Sequence, residues 1–175
     1  MIEIYDDLFT DDYLINQFLY ASNGARWKLN NRAGRFQYPL DSPLCKGNHL
    51  FWAANLDANN EFVNAPLKVF HEITDRKYKC IEVLGNLQGY GVDGTWHQDD
   101  GRAPFTLLFY PHYKWKKSWG GEFQIERNGN IESFDIKPGR LILIDGSINH
   151  RALGTKNPYI YRFSYAYRLD YRNKK

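Results

Sequence analysis

Glu122-Phe123-Gln124-Ile125-Glu126-Arg127-Asn128-Gly129-Asn130-Ile131 is the stretch on which the fold reading turns. Residues 122–126 alternate polar and apolar, the period-two pattern of a strand with one buried face. Asn128-Gly129 is a strong two-residue hairpin turn, because both residues tolerate the positive φ such a turn demands. Ile131 to Ile136 then reads as the returning strand. Pro138-Gly139 follows as the centre of a type II turn, proline fixing the first φ and glycine taking the positive one. Leu141-Ile142-Leu143-Ile144 is apolar on both faces and reads as a buried strand.

Strand patterns continue outward from this hairpin. Cys80 to Leu84, Pro104 to Tyr110 and Tyr159 to Leu169 have strand character. The first part of the chain differs. Thr10-Asp11-Asp12 is a helix-start signal, with Leu14, Ile15, Phe18 and Leu19 at helical spacing and Gly24 as a stop. Pro66 is expected to open a second helix through Leu67, Val69, Phe70 and Ile73. Helices first and about eight strands afterwards argue an α+β chain whose strands form a sandwich or barrel. The expected architecture is a jelly roll with helices buttressing one outer face. The chain is read as one domain over 1–175, with helical support over about 1–79 and a jelly-roll core over about 80–170.

A chain of 175 residues with 17% aromatics can bury a sizeable core. Its net charge of +3 is too small for the concentrated basic stripe of a dedicated nucleic-acid binder. Cys45 and Cys80 form no CxxC pattern and are expected to be reduced thiols. No apolar run approaches the roughly 20 residues that span a bilayer, and the acidic N-terminus lacks a signal peptide's basic region. A soluble, cytoplasmic protein with no membrane partner is expected.

The chemistry-bearing residues are His97-Gln98-Asp99, His150 and Arg162. Two imidazoles and a carboxylate can hold a divalent metal on one face and leave the other open, the ligand set of non-haem Fe(II) oxygenases. Strand alternation puts His97 and Asp99 on one face and Asp100 on the other. His-x-Asp alone is a weak motif, equally compatible with a turn-capping histidine beside a solvated aspartate. His150 follows a buried strand and the turn Asp145-Gly146-Ser147, a mouth position. His112, after Tyr110-Pro111, is a rival ligand better read as a loop histidine, while His49 and His71 fall in the helical half.

In the last strand Arg162, Ser164, Ala166 and Arg168 share one face, and Tyr161, Phe163, Tyr165 and Tyr167 the other. If the aromatics pack on the helices, the arginines look into the barrel. A buried guanidinium is costly without an anion. A dicarboxylate would satisfy Arg162 with two charge-assisted hydrogen bonds, as would an acidic side chain across the sheet. Tyr110, alternating with Thr106 and Leu108, is a second candidate donor to a ligand carboxylate, with core packing as its plainer role.

The ordered set of His97-x-Asp99, the Thr106–Tyr110 strand, Trp119-Gly120-Gly121-Glu122, Lys137-Pro138-Gly139-Arg140, His150 and Arg162-x-Ser164 resembles the Fe(II)/2-oxoglutarate-dependent dioxygenases, in particular the prolyl-hydroxylase-like branch. Gly85 to Gly91 resembles that branch too, and the likeness covers roughly residues 80–170. It implies a double-stranded β-helix, with His97, Asp99 and His150 as catalytic iron ligands. It implies that Arg162 meets the far carboxylate of 2-oxoglutarate, with Tyr110, Ser164 and Thr106 nearby. The implied cofactors are Fe(II), 2-oxoglutarate and O2, with ascorbate a further candidate. The implied reaction is hydroxylation of a substrate C–H with release of succinate and CO2.

A prolyl residue of a peptide or protein is the leading substrate. The gap from His150 to Arg162 is longer than in many prolyl hydroxylases, and Arg168 stands where a peptide hydroxylase can carry an aromatic. Arginine at that spacing resembles the AlkB-like nucleobase demethylases. The loop Tyr113-Lys114-Trp115-Lys116-Lys117-Ser118-Trp119 could receive an acidic chain or stack bases, or be a surface loop with two partly packed tryptophans. Nucleobase oxidation is therefore the second reading, and a jelly-roll binding module without turnover the third. The sequence sets no oligomeric state.

Overall fold

The computed structural model describes residues 1–31, 51–99, 101 and 103–171. Cys45, His49, Asp100 and the basic tail from Arg172 lie outside the described residues. The elements run β1 (Ile2–Tyr5), α1 (Asp11–Leu19), a π-helical turn (Tyr20–Gly24), β2 (Lys28–Asn31), β3 (Phe51–Leu56), α2 (Glu61–Thr74), β4 (Tyr78–Gln88), β5 (Phe105–Phe109), a short 3₁₀ turn (Lys117–Trp119), β6 (Phe123–Arg127), β7 (Asn130–Phe134), β8 (Leu141–Asp145), β9 (Asn149–Ala152) and β10 (Arg162–Tyr171).

The strands form two antiparallel sheets. One has seven strands in the order β1-β8-β5-β10-β4-β3-β2, and the other has three in the order β7-β6-β9. The period-two pattern of the central strands decides which side chain enters which layer. Leu107 and Phe109 of β5, Leu141 and Leu143 of β8, and Phe163, Tyr165 and Tyr167 of β10 face Leu14, Val63, Leu67 and Phe70 of the helices. The alternate residues, Leu108, Ile142, Ile144 and Ala166, face Phe123 and Ile125 of the smaller sheet. The two sheets thus stack as a sandwich with both helices on the outer face of the larger one.

The hairpin read from the sequence forms with β6 and β7 paired from Phe123↔Phe134 to Arg127↔Asn130. Asn128 and Gly129 both take positive φ, 51° and 76°. Gly139 takes φ 67°, and Arg140 N–H donates to Lys137 O at 3.2 Å, which closes the type II turn. A Cβ on Gly139 would lie 3.0 Å from Leu14 and from Phe9, so the turn also needs glycine for space.

Helix α1 begins where the start signal predicts, with Thr10 Oγ1 accepting from Tyr13 N–H. Its buried stripe differs from the expected one. Ile15 and Leu19 are exposed, while Gln17 is fully buried. Gln17 Nε2 donates to Tyr13 OH and to Phe62 O, both at 2.8 Å. Helix α2 starts at Glu61 behind an Asn60 cap rather than at Pro66, which lies inside it. Proline in the second turn has no N–H for the carbonyl four residues back. That carbonyl belongs to Phe62, and Gln17 supplies the missing donor. A polar residue on α1 thereby makes the proline of α2 tolerable.

The larger sheet also holds more strands than the sequence patterning suggests, since β1, β2 and β3 are not recognisable in it; nor is β9 of the smaller sheet, which carries His150. The last strand starts at Arg162, not Tyr159, because residues 155–160 form a turn. Thr155 Oγ1 donates to Asn157 O and Ile160 O there, and Tyr159 and Tyr161 stay exposed. The N-terminus is clamped by Arg140, whose Nε and Nη2 each donate at 2.7 Å to the Asp6 carboxylate. Cys80 is a free thiol, and no helix among the described residues is long and apolar enough to cross a membrane.

Candidate metal centre and buried guanidinium

His97 is not part of a regular strand. It reaches β9 through an isolated antiparallel bridge to His150. His97 N–H donates to His150 O at 3.0 Å, and His150 N–H to His97 O at 2.9 Å. Residues opposite each other in such a bridge project to the same side, and the two imidazole centroids are 4.4 Å apart. His97 Nδ1 lies 2.9 Å from Thr95 O, and His150 Nδ1 lies 2.8 Å from Ile148 O. A carbonyl oxygen only accepts, so each Nδ1 carries the proton and each Nε2 lone pair is turned to the shared space. Backbone partners of this kind orient metal-binding histidines.

Asp99 N–H donates to Gly146 O at 2.8 Å, which brings the carboxylate to the histidines. Its Oδ1 is 3.9 Å from His150 Nε2. Potential ligand atoms of His97, Asp99 and His150 all lie within 4.8 Å of one another. Burial, then the neighbouring His97 ring, pushes His150 down to about 4, so it is neutral at pH 7. Neutral imidazole is the form that binds a cation.

Both carboxylate oxygens of Asp99 have further partners. Thr106 Oγ1 donates to Oδ2, and Arg168 Nη1 forms an ion pair with Oδ1. Arg168 Nη1 also donates to Thr106 Oγ1 at 3.2 Å, closing a three-membered network. Thr106 therefore lies at Asp99 and not beside Arg162.

Arg162 sits at the far end of the same inner face. It is 1% exposed. Its Nε donates to Gly121 O at 3.0 Å, its Nη1 to Gln88 Oε1 at 2.9 Å and to Ser164 Oγ at 3.1 Å, and its Nη2 to Tyr110 OH at 3.3 Å. All four acceptors are neutral, and no carboxylate among the described residues pairs with it. Burial lowers its pKa and raises that of Tyr110. Tyr110 and Ser164 therefore lie with Arg162. Between the two ends Leu108 lies opposite Ala166. From Thr106 to Tyr110 the strand advances roughly 14 Å. This inner face thus carries a metal-type donor set at one end and, at the other, a buried cation that no carboxylate among the described residues neutralises.

The other described histidines, His112 and His71, have structural partners. His112 Nε2 accepts from Phe163 N–H at 3.1 Å, and burial pushes it down to about 3. His71 Nε2 accepts from Tyr78 N–H at 3.2 Å. The lysine–tryptophan loop packs on itself. Trp115 Nε1 donates to Gly120 O at 3.1 Å, Trp115 meets Trp119 edge-on at 5.5 Å, and Lys117 pairs with Asp135 at 2.9 Å.

Two participants escaped the sequence reading. Gln88 is buried and bonded to Arg162, a role set by its register opposite Arg162 across β4 and β10. Gly154 lies where a Cβ would come within 2.5 Å of Val92 N and 2.7 Å of Gly89 O. The segments leading to His97 and from His150 are therefore in backbone contact. Only the strand register or the packing reveals either.

No family model matches the sequence, and no curated protein matches it. Solved structures do share its fold. A 2OG-Fe(II) oxygenase family oxidoreductase from Burkholderia pseudomallei superposes with TM-score 0.69 at 14% identity, covering 98% of this chain and 86% of that one. The viral collagen prolyl hydroxylase of Paramecium Bursaria Chlorella virus-1, solved with 2OG, gives 0.67 at 14% identity, over 98% and 96%. A prolyl hydroxylase in complex with a hypoxia inducible factor peptide fragment, from Trichoplax adhaerens, gives 0.63 at 15%, over 97% and 83%. At these identities the likeness is one of fold, and it extends over nearly the whole chain.

Proposed function

We propose that this protein is an Fe(II)- and 2-oxoglutarate-dependent dioxygenase built on a double-stranded β-helix and acting as one domain. Its substrate in this reading is a prolyl residue of a peptide or protein. The observation that carries the proposal is Arg162, a buried cation whose hydrogen-bond acceptors are all neutral, on the same inner face as the His97, Asp99 and His150 donors. A guanidinium out of water without an anion is several kcal/mol uphill, on the order of a lost ion partner. A ligand with a carboxylate at that end relieves the cost, and one that also offers donor atoms at the metal end reaches from one to the other. 2-Oxoglutarate has both.

The donor set fits Fe(II): two imidazoles and one carboxylate, leaving coordination positions open. In this reading His97, Asp99 and His150 hold the iron. Arg162 grips the far carboxylate of 2-oxoglutarate, with Tyr110 donating beside it and Ser164 orienting the guanidinium. Iron with 2-oxoglutarate and O2 supplies the oxidising power for C–H hydroxylation, releasing succinate and CO2. The fold neighbours that are prolyl hydroxylases, one with a peptide bound, support a peptide substrate. Arg168 is engaged with Asp99, so it lends no support to base recognition. A cytoplasmic setting is consistent with the reduced Cys80.

The test is succinate release by Fe(II)-loaded protein, screened against proline-containing peptides and short single-stranded oligonucleotides. Peptide-dependent succinate supports the proposal, and oligonucleotide-dependent succinate moves the assignment to nucleobase oxidation. No decarboxylation with any substrate leaves a binding module.

A further inference from the structure

Gln88 places one neutral amide between the buried guanidinium and the two segments that bring the histidines together. Its Oε1 accepts from Arg162 Nη1 at 2.9 Å, while its Nε2 donates to Val92 O at 2.9 Å and to Ala152 O at 3.2 Å. The amide orientation is forced, because the flipped form would set an NH₂ against a cation and an oxygen against two carbonyls. Val92 lies on the segment running to His97. Ala152 is on β9, two residues beyond His150, and its carbonyl also accepts from Gly94 N–H at 2.8 Å. Gln88 is 2% exposed, so these bonds form away from water.

Three hydrogen bonds from two atoms of one side chain thus tie Arg162 to both backbone segments of the metal-type donor set. Glutamine also does what glutamate could not. A carboxylate there would neutralise Arg162 and lose both donors, whereas the amide satisfies an N–H and leaves the positive charge to an incoming anion.

We propose that Gln88 is a positioning residue that fixes the spacing between the metal centre and the Arg162 guanidinium, and so selects the chain length of the 2-oxo diacid that bridges them. The proposal rests on the dioxygenase reading above. A site held to within about 0.5 Å discriminates one methylene, and loosening its support blurs that choice.

The experiment is calorimetric titration of Mn(II)-loaded protein, without oxygen chemistry, with 2-oxoglutarate, the longer 2-oxoadipate, and 2-oxopentanoate, which has no far carboxylate. Wild type is expected to bind 2-oxoglutarate at least about tenfold more tightly than either of the others, a margin a single methylene or a lost ion contact supplies. Gln88→Met, similar in volume but without the tether, brings the two diacids within about threefold of each other. Gln88→Glu supplies its own anion to Arg162. It should weaken 2-oxoglutarate by more than about tenfold and leave 2-oxopentanoate unchanged.

If Gln88→Met weakens both diacids by the same factor, or if wild type prefers neither diacid over the other, the spacing role is overturned while the dioxygenase reading stands. If wild type treats 2-oxoglutarate and 2-oxopentanoate alike, Arg162 is no anion clamp, and both readings fall together.

Discussion

Asp99 and Arg168 form a buried ion pair in which Arg168 Nη1 meets Asp99 Oδ1, with both side chains more than four-fifths shielded from solvent. A carboxylate so held has one preferred rotamer, and that rotamer turns it towards His150. Replacing Arg168 by Met is expected to weaken Mn(II) binding about tenfold, the usual scale for losing a group that orients a metal ligand. Arg168→Lys keeps the charge but not the planar guanidinium whose Nη1 meets both Asp99 and Thr106, so it should fall between wild type and Met. Metal titration of the three proteins checks this, and an unchanged affinity in Arg168→Met would mean that Thr106 alone fixes Asp99.

Arg162→Gln removes the cation but keeps a hydrogen-bonding side chain. 2-Oxoglutarate at a hundred times its dissociation constant should stabilise wild-type, metal-loaded protein by about 2.7 kcal/mol. The same concentration should leave the Arg162→Gln midpoint unmoved. Thermal unfolding with and without the ligand reads the difference directly.

The Gln17 bond to Phe62 O predicts a coupling between two helices. Gln17→Leu should cost about 2 kcal/mol, because the carbonyl left by Pro66 is then buried and unpaired. In a Pro66→Ala background residue 66 regains its N–H, and the same substitution should cost markedly less. A double-mutant cycle by urea unfolding measures the interaction, and strict additivity would rule it out.

His112 gives the stability a pH dependence. Its folded-state pKa, about 3, lies below the ordinary value near 6.5, so the unfolded chain binds the extra proton between the two. Stability contributed by the neutral ring is complete above pH 6.5 and declines as pH falls. Between pH 6.5 and pH 5 this one group should remove about 2 kcal/mol. His112→Gln, which retains an acceptor for Phe163 N–H, should flatten that slope in urea unfolding of metal-free protein. An equal slope in both proteins would show that His112 does not drive it.

The sequence made some of this architecture readable because the information was local. Asn128-Gly129 and Pro138-Gly139 specify their turns within four residues, and alternation along β10 separates the aromatic face from the arginine face. The candidate donor set was legible because histidine is scarce, five in the chain, and His97, Asp99 and His150 stand in a recognisable order. What stayed hidden depends on distant partners. β1 reads as an acidic N-terminus, and becomes a strand by pairing with β8. Ile15 and Leu19 look like core but are displaced by Gln17, whose reason for burial lies 45 residues away on α2. Thr106 and Arg168 looked like co-substrate or substrate residues until the sheet register set them on Asp99.

The reciprocal bridge between His97 and His150 has a consequence for how a metal would be exchanged. Two peptide groups locked in mutual hydrogen bonds hold their imidazoles at a set separation whether or not a cation is present. Binding then costs little chain ordering, so stripping with a chelator should leave the far-ultraviolet circular dichroism intact. Metal restored to the empty cage should be taken up without a refolding lag.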